Sequence, residues 1–477
     1  MVFSSLMFVF QFLPIALILY YLSPKKIKNI TLFIVSLVFY SWGEVRYFPI
    51  MLATILVNYF GAIGVETFDK KALQSEDEKL KKKYTSLRTL IFFATLIISL
   101  GFLFVFKYLG FFTQNINSVF HVTIPIIELT LPLGISFYTF QTLSYTIDVY
   151  KRKVDAEHNF IDIAAFVVLF PQLIAGPIVR YTDIHKELKE RTITAEDLGE
   201  GMEDFIIGLA KKVLIANNVG ALWTEVEKLG FNSISTGLAW LGIIAFSLQI
   251  YFDFSGYSQM AIGLGRMLGF HFPQNFDSPY SSRSVTEFWR RWHMTLSSWF
   301  REYVYILLGG NRKGALRTFL NLFIVWALTG FWHGASWNFV LWGVYFFVLL
   351  SIEKAGFIGV LNKHKVFSHL YTILILIVGW ALFAITDFAQ LGIFINRLFV
   401  PTFLSNDLPA VGATYYLRNY VVSLVIGCWF STSASSKLYS KLRERQGLKY
   451  FILIGLFLLC VAYLVDSTYN PFLYFRF

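Results

Sequence analysis

Two histidines of this chain lie in strongly aromatic stretches and could act as acid–base groups. His293 belongs to FWRRWHMTLSSWF (288–300), and His333 belongs to LTGFWHGASW (328–337). An ionisable ring in hydrocarbon is costly, so such a residue usually faces a protein interior or an aqueous cavity and marks a functional path. A histidine can take a proton from a hydroxyl while that oxygen attacks an activated acyl carbon. His333 is therefore the first candidate for catalysis, the alternative being a buried structural hydrogen bond. For His293, interfacial packing and a site role are equally open.

The sequence does not support rival chemistries. It contains no His-Glu-x-x-His zinc motif, no Gly-x-Ser-x-Gly nucleophile elbow and no P-loop. Its cysteines, Cys428 and Cys460, both fall in apolar segments, which argues against a disulfide framework and a thiolate metal site. We therefore predict no metal centre and no bound cofactor.

A second polar cluster interrupts the apolar segment LQIYFDFSGYSQMAIGLG, which includes Asp253 and Ser255. Asp253 could orient a histidine or contact a substrate. The other interpretation is a helix-end cap or a partner for Arg266. Asn275, in the connector that follows, could line a cytoplasmic pocket.

The elements that hold these residues are predicted to be membrane helices. Of the 477 residues, 56% are hydrophobic and only 15% are charged, whereas soluble domains carry about a quarter charged residues. Apolar runs near the ~20 residues needed to cross a bilayer recur along the chain and suggest roughly ten to twelve spans. Lipid requires every backbone group to be paired, and alternating strand patterns are absent. We predict an all-α polytopic integral membrane protein with additional re-entrant and interfacial helices.

The net charge of +11 reflects membrane topology and not nucleic-acid binding. Basic residues cluster in alternate loops, at 25–28, 70–88, 151–153 and 437–449. By the positive-inside rule these loops are cytoplasmic, which places the N-terminus outside. We expect the lipid bilayer, and no nucleic acid, as a partner. The first apolar run is expected to be retained as a membrane span.

Two local elements are predicted near the candidate residues. The run 160–179 is interrupted by Pro171 and Gly176-Pro177 and has basic residues on both flanks. It is read equally well as a re-entrant element or as a tilted span with a proline kink. Ser284 and Glu287 have capping-box spacing and predict a helix of about Val285 to Leu308. Its apolar stripe, which includes Trp292, indicates an interfacial amphipathic helix.

Several segments together resemble a known family. They are PLGISFYTFQTLSYTIDVY (132–150), FPQLIAGPIVR (170–180), YFDFSGYSQMAIGLGRMLGF (251–270), FWRRWHMTLSSWFREYVY (288–305), TGFWHGASWNFVLWG (329–343) and YNPFLYFRF (469–477). With these motifs the chain resembles the membrane-bound O-acyltransferases, in the branch of the alginate O-acetylation membrane protein. It resembles the D-alanyl transfer protein of teichoic-acid modification more distantly.

The resemblance implies a single transmembrane domain over 1–477 with helices around a central channel. Within it, 1–150 and 356–477 would be the N- and C-terminal helices and 151–355 the catalytic core. His333 matches the family's catalytic histidine and His293 its second histidine. Relatives commonly carry Asp where this chain has Gln259, so a charge-dependent role at that position does not carry over.

The resemblance also implies a cytoplasmic donor, either acetyl-CoA or an acyl group on a carrier protein. An extracytoplasmic acetyltransferase would complete the transfer to a polysaccharide. Beside the two histidines, residues predicted to contact the donor or line the channel are Arg290, Arg291, Trp292, Asp253, Ser255, Asn275, Trp332 and Asn338. For the arginines, anchoring to lipid headgroups is the alternative role.

The predicted function is transfer of an acetyl group from a cytoplasmic thioester to hydroxyls of a cell-surface or secreted polysaccharide, in a bacterial-type cell membrane. One alternative is D-alanyl or acetyl transfer to teichoic acid or peptidoglycan. Another is a transporter or flippase in which His333 relays protons. The stretch Asp387 to Leu417 could meet a partner.

Overall fold

The computed structural model describes residues 2–127, 129–401 and 411–466. In these ranges helices alternate with short connections, no β-strand occurs, and the extended pairing is an isolated bridge between Ile234 and Val411. The prediction of an all-α fold is confirmed. The segment 469–477 and part of the predicted partner stretch lie outside the described residues.

Eight helices in the described part of the chain are long and apolar enough to cross a membrane. A ninth span is added if the helices Thr414–Phe430 and Ser433–Arg443, which meet at 77°, are taken as one broken span. Of the other predicted runs, the first forms the shorter helix Phe8–Leu22. A further short apolar helix, Phe388–Phe399, lies in the predicted partner stretch. The chain is therefore a multi-pass membrane protein.

The chain forms two compact units, of which the first comprises Met1–Asp204 and Ala261–Pro273. Buried polar side chains tie its helices together. Asn58 donates to Ser99 at 2.8 Å and accepts from Thr146 at 2.8 Å. The α-helices that begin in this unit are α1 (Leu13–Leu22), α2 (Lys28–Glu44), α3 (Phe48–Gln74), α4 (Glu78–Leu103), α5 (Leu109–Phe120), α6 (Ile135–Tyr150), α7 (Phe160–Val168), α8 (Phe170–Leu173), α9 (Tyr181–Lys189) and α10 (Ala195–Ala210).

The segment predicted to be re-entrant is a broken helix. It contains α7 and α8 and continues without regular structure to Arg180, the N-cap of α9. Residues 162–179 are all buried. Irregular backbone at membrane depth requires such cover. Its re-entrant path stays a prediction.

The second unit comprises Phe205–Met260 and Gln274–Phe477 and holds both candidate histidines. Short π-helical turns, among them Lys211–Ala216, Arg301–Tyr305 and Glu353–Phe357, continue several of its helices. The α-helices that begin in it are α11 (Asn217–Leu229), α12 (Thr236–Met267), α13 (Val285–Arg291), α14 (Met294–Phe300), α15 (Ala315–His333), α16 (Trp337–Ile352), α17 (Ile358–Lys363), α18 (Lys365–Ala384), α19 (Phe388–Phe399), α20 (Thr414–Phe430), α21 (Ser433–Arg443) and α22 (Gln446–Asp466).

Helices α15 and α16 form a tightly packed hairpin. A Cβ atom on Gly330 would lie 2.3 Å from the carbonyl oxygen of Phe339, and one on Gly343 would lie 2.4 Å from that of Trp326. Only glycine permits this backbone approach, as in other close crossings of membrane helices. The crossing fixes the end of α15, where His333 lies.

The predicted continuous helix of about Val285 to Leu308 is wrong. Ser284 caps its start as expected by accepting from the Glu287 amide at 3.0 Å, but the helix breaks between α13 and α14. His293 has φ 44°, and the Met294 amide donates to the Asn275 carbonyl at 2.9 Å instead of continuing the helix. The predicted interfacial stripe is also wrong because Trp292 is 4% exposed and packs inside the protein.

Candidate active site

His333 is the last residue of α15, at the turn of the hairpin. Its Nδ1 lies 2.7 Å from the carbonyl oxygen of Thr329, one helical turn earlier. A carbonyl oxygen can only accept, so Nδ1 carries the proton and the neutral ring keeps its lone pair on Nε2. The ring is half-buried, and the geometry therefore provides an oriented base.

His293 occupies the break between α13 and α14 and is 2% exposed. Its Nδ1 lies 3.1 Å from Oδ1 of Asn275, and the same oxygen accepts from the Thr295 amide at 3.2 Å. Because the Thr295 N–H must donate, it fixes which end of the Asn275 amide faces the ring. His293 is thus held with its proton on Nδ1, while its buried Nε2 has no hydrogen-bond partner among the described residues.

The two histidines are close enough to influence each other. The ring of Trp332 lies against both, with centroid distances of 6.0 Å to His293 and 4.9 Å to His333. Burial lowers the pKa of His293 well below its ordinary value, and the nearby His333 lowers the pKa further. His293 is therefore neutral at physiological pH.

Both histidines line one cavity of about 240 Å³. Apolar side chains form most of its wall, with exposed Arg290 and Arg301 at its edge. Trp292 lines it as well. A small, largely apolar pocket with a few convergent polar groups is typical of a binding or catalytic site.

The sequence comparisons identify the family of the chain. The model of the MBOAT family, membrane-bound O-acyltransferases, matches residues 151–385, a range that includes both histidines. The chain is 43% identical over 395 residues to the probable alginate O-acetylase AlgI of Pseudomonas aeruginosa, covering 80% of this chain and 72% of that protein. The chain belongs to the membrane-bound O-acyltransferase family. It is an acyltransferase.

Other curated members are similar over different lengths. A peptidoglycan O-acetyltransferase of Helicobacter pylori is 34% identical over 422 residues, with 80% of this chain and 77% of that protein covered. A teichoic acid D-alanyltransferase of Bacillus subtilis is 27% identical over 231 residues, with 46% of this chain and 58% of that protein covered.

In this membrane-bound O-acyltransferase, a buried carboxylate that sequence reasoning missed holds the start of α13. Glu353 is fully buried and accepts from the amides of Val285 at 2.7 Å and Thr286 at 2.8 Å, and from the Thr286 hydroxyl at 2.6 Å. A carboxylate at a helix N-terminus satisfies otherwise unpaired amides and interacts favourably with the helix dipole. Because Glu353 and Val285 are 68 positions apart in the sequence, no local pattern could predict the contact.

Asp253 does not pair with Arg266. Its Oδ1 lies 2.6 Å from Nζ of Lys212, and both side chains are almost fully buried. Arg266 instead contacts Glu200. Sequence reasoning did not single out Lys212, although it lies within the apolar run 205–223. The pair joins α12 to the π-helical turn 211–216 and does not line the histidine cavity.

The remaining predicted site residues have varied positions. Arg291 pairs with Glu287 at 2.9 Å, away from the cavity. Ser255 is buried on α12. Asn338 is fully buried and donates to the Leu382 and Phe383 carbonyls at 3.4 Å. The structure thus brings Arg290, Trp292, His293 and His333 to one cavity, places Asn275 and Trp332 against its histidines, and leaves Arg291, Asp253, Ser255 and Asn338 outside it.

Proposed function

We propose that this acyltransferase moves an acetyl group from a cytoplasmic thioester to hydroxyls of a cell-surface or secreted polysaccharide, with His333 as the base. The observation that carries the proposal is the Nδ1 contact of His333 with Thr329 at a cavity shared with a second histidine. This contact orients an unprotonated Nε2 towards a reacting hydroxyl.

The chemical step requires one proton shuttle. Nε2 of His333 takes the hydroxyl proton as the acceptor oxygen bonds to the thioester carbonyl carbon. The carbon–sulfur bond then breaks, and the imidazolium returns the proton to the leaving sulfur. An ester and a free thiol result, and the histidine is neutral again.

His293 would act beside this step as a neutral group. Since burial and His333 both lower the pKa of His293, it adds no positive charge that would oppose protonation of His333. Its buried Nε2 is a hydrogen-bond acceptor and supports a role in orienting the acceptor hydroxyl.

The cavity accommodates part of a donor. Its volume of about 240 Å³ is below the roughly 300–1,000 Å³ typical of sites for whole drug-sized ligands. Acetyl-CoA or an acylated carrier protein would insert only its thioester end, while its charged part stays outside hydrocarbon. Exposed Arg290 and Arg301 suit donor phosphates, because guanidinium groups bind phosphate in a bidentate manner.

The polysaccharide acceptor is proposed from the relatives. The alginate O-acetylases match at higher identity than the peptidoglycan and teichoic acid enzymes, which favours an alginate-like polymer over those acceptors. The proposal includes a cell-membrane location, an N-terminus outside and a separate extracytoplasmic acetyltransferase. The basic loops support this orientation.

The experiment compares surface polymers from cells that make the wild-type chain, His333→Ala or His364→Ala at matched membrane levels. His364 is exposed and is the matched histidine control. We expect ester-linked acetate, released by mild base, to disappear only in His333→Ala. Full acetate in His333→Ala would contradict the proposal, and a transport defect with intact acetylation would favour the transporter alternative.

A further inference from the structure

A second cavity of the same unit has a volume of about 400 Å³. Its walls come from the π-helical turn 211–216, α12 and the three helices α20 to α22. None of its lining residues lines the histidine cavity in the described part of the chain. The proposed acyl transfer therefore does not explain this space.

One part of the second cavity is lined by lysine and serine side chains. Lys449 is only 7% exposed, and Lys211 is half-buried on another wall. Three serines, Ser278, Ser435 and Ser436, line it as well. Two lysines beside several hydroxyls form a site whose chemistry suits a phosphate group.

The rest of the second cavity is apolar. Leu438 and Leu442 of α21 face Ile452, Leu453 and Leu456 of α22. This wall arises because α20 and α21 meet at 77°, which folds α21 beside α22. A free phosphate would leave these side chains against water, whereas a phosphate that carries a hydrocarbon chain would cover them.

The surroundings favour a lipid as the source of that phosphate. Helix α21 and its flank carry Lys437, Lys441, Arg443 and Arg445 at exposed positions. Such juxtamembrane basic clusters attract the anionic lipids of a cytoplasmic leaflet. The cavity adjoins this basic helix and combines a cationic end with an apolar wall.

We propose that the second cavity binds an anionic glycerophospholipid, with its phosphate at Lys211 and Lys449 and one acyl chain along α21 and α22. This site is separate from acyl transfer and holds whether or not the proposed acceptor is correct.

The test measures lipid retention by the purified full chain. Protein is delipidated in detergent, loaded with phosphatidylglycerol or phosphatidylcholine and examined by native mass spectrometry. Variants are the double change Lys211→Gln/Lys449→Gln, the cavity-filling Leu456→Trp and the control Lys82→Gln, which removes an exposed charge outside both the cavity and the basic helix α21. Size exclusion and thermal unfolding verify that each variant is folded.

We expect phosphatidylglycerol to be retained about 25-fold less by the double variant, since each lysine near an anionic headgroup contributes about a factor of five and the two factors multiply. Leu456→Trp should lose the lipid too, while Lys82→Gln retains it. Equal retention by all variants, or equal retention of phosphatidylcholine and phosphatidylglycerol by the wild type, would overturn the proposal. Unchanged lipid retention with a raised KM for the thioester donor would overturn it in favour of the donor's phosphates.

Discussion

The two histidines of the candidate active site are held in opposite ways. His333 ends a regular helix and donates to Thr329 four residues earlier, and the glycine crossing fixes its helix against α16. His293 lies where a helix breaks, and its position depends on Asn275 and Glu353, which are distant in sequence. The first histidine is positioned by local geometry and close packing, whereas the second depends on a few long-range hydrogen bonds.

A substitution in the α15–α16 hairpin should lower folding stability more than a substitution at the contacts that hold His293. In Gly330→Ala the new Cβ would lie 2.3 Å from the backbone oxygen of Phe339, which forces α15 from α16. We expect a loss of about 3 kcal/mol, the upper end of the range for overpacking, because backbone cannot rotate away. Thermal or denaturant unfolding in detergent measures the loss. Gly101→Ala, a helical glycine with open space around its Cβ position, is the control, and equal stability of the two variants would refute the rigid-hairpin account.

The carboxylate that supports α13 should have the next largest effect. Glu353→Gln keeps the shape but loses charge-assisted bonds to Val285 and Thr286, at a cost of about 2 kcal/mol. Since α13 leads to His293, the rate of acetyl transfer should fall as well. Glu444→Gln, an exposed carboxylate, serves as the control. A positioning role predicts that Glu353→Asp restores less than full activity, and wild-type stability of Glu353→Gln would exclude that role.

A smaller effect is expected from Asn275→Asp, which should change the pKa of His293 without moving its ring. Asn275→Asp keeps an oxygen acceptor for Nδ1 and for the Thr295 amide but places a negative charge beside the ring. That charge raises the pKa of His293, opposite to the lowering by burial. The pH profile of kcat should shift while the thermal stability near neutral pH changes by only about 1 kcal/mol. An unaltered profile would show that His293 does not influence the reaction.

The smallest expected effect is the contribution of His293 to the pH dependence of folding stability. The pKa of His293 is lower in the folded state than the ordinary value of about 6.5 in the unfolded chain. The unfolded state therefore binds more protons below pH 6.5. His293 contributes stability above that pH, and the contribution is lost as the pH falls towards the folded pKa. Melting temperatures between pH 5 and 8 should decline less steeply towards acid in His293→Gln, and identical slopes would contradict the assignment.

The position of His333 at a helix end could be predicted from the sequence, whereas the long-range hydrogen bonds that hold His293 could not, for a physical reason. The helical character and the isolated histidine of 328–337 are visible within ten residues, and so His333 could be placed at a break between apolar helices. The cap at Ser284 was also local and correct. The break at His293 was not predicted because the apolar spacing of 288–303 fits a continuous helix, and the competing hydrogen bonds come from Asn275.

The partners of buried charged residues also could not be predicted from the local sequence. The sequence placed Asp253 among apolar residues but suggested a helix-end cap or Arg266 as its partner. Its true partner, Lys212, belongs to another segment. A buried pair depends on how helices cross, and the crossing at Gly208 and Gly256, where an added Cβ would lie 2.6 to 2.7 Å from a backbone oxygen, appears only in three dimensions.

The central claim, that His333 is the base in acyl transfer, is tested most directly by transfer of labelled acetyl from acetyl-CoA to polymer hydroxyls in membrane vesicles. The preparation includes the proposed extracytoplasmic acetyltransferase, so that the whole proposed reaction is measured. His333→Ala should lower the rate by about 10² to 10⁴, the usual contribution of general acid–base catalysis, whereas His364→Ala should match the wild type. A rate for His333→Ala within about threefold of the wild type, at equal expression and folding, would contradict the account.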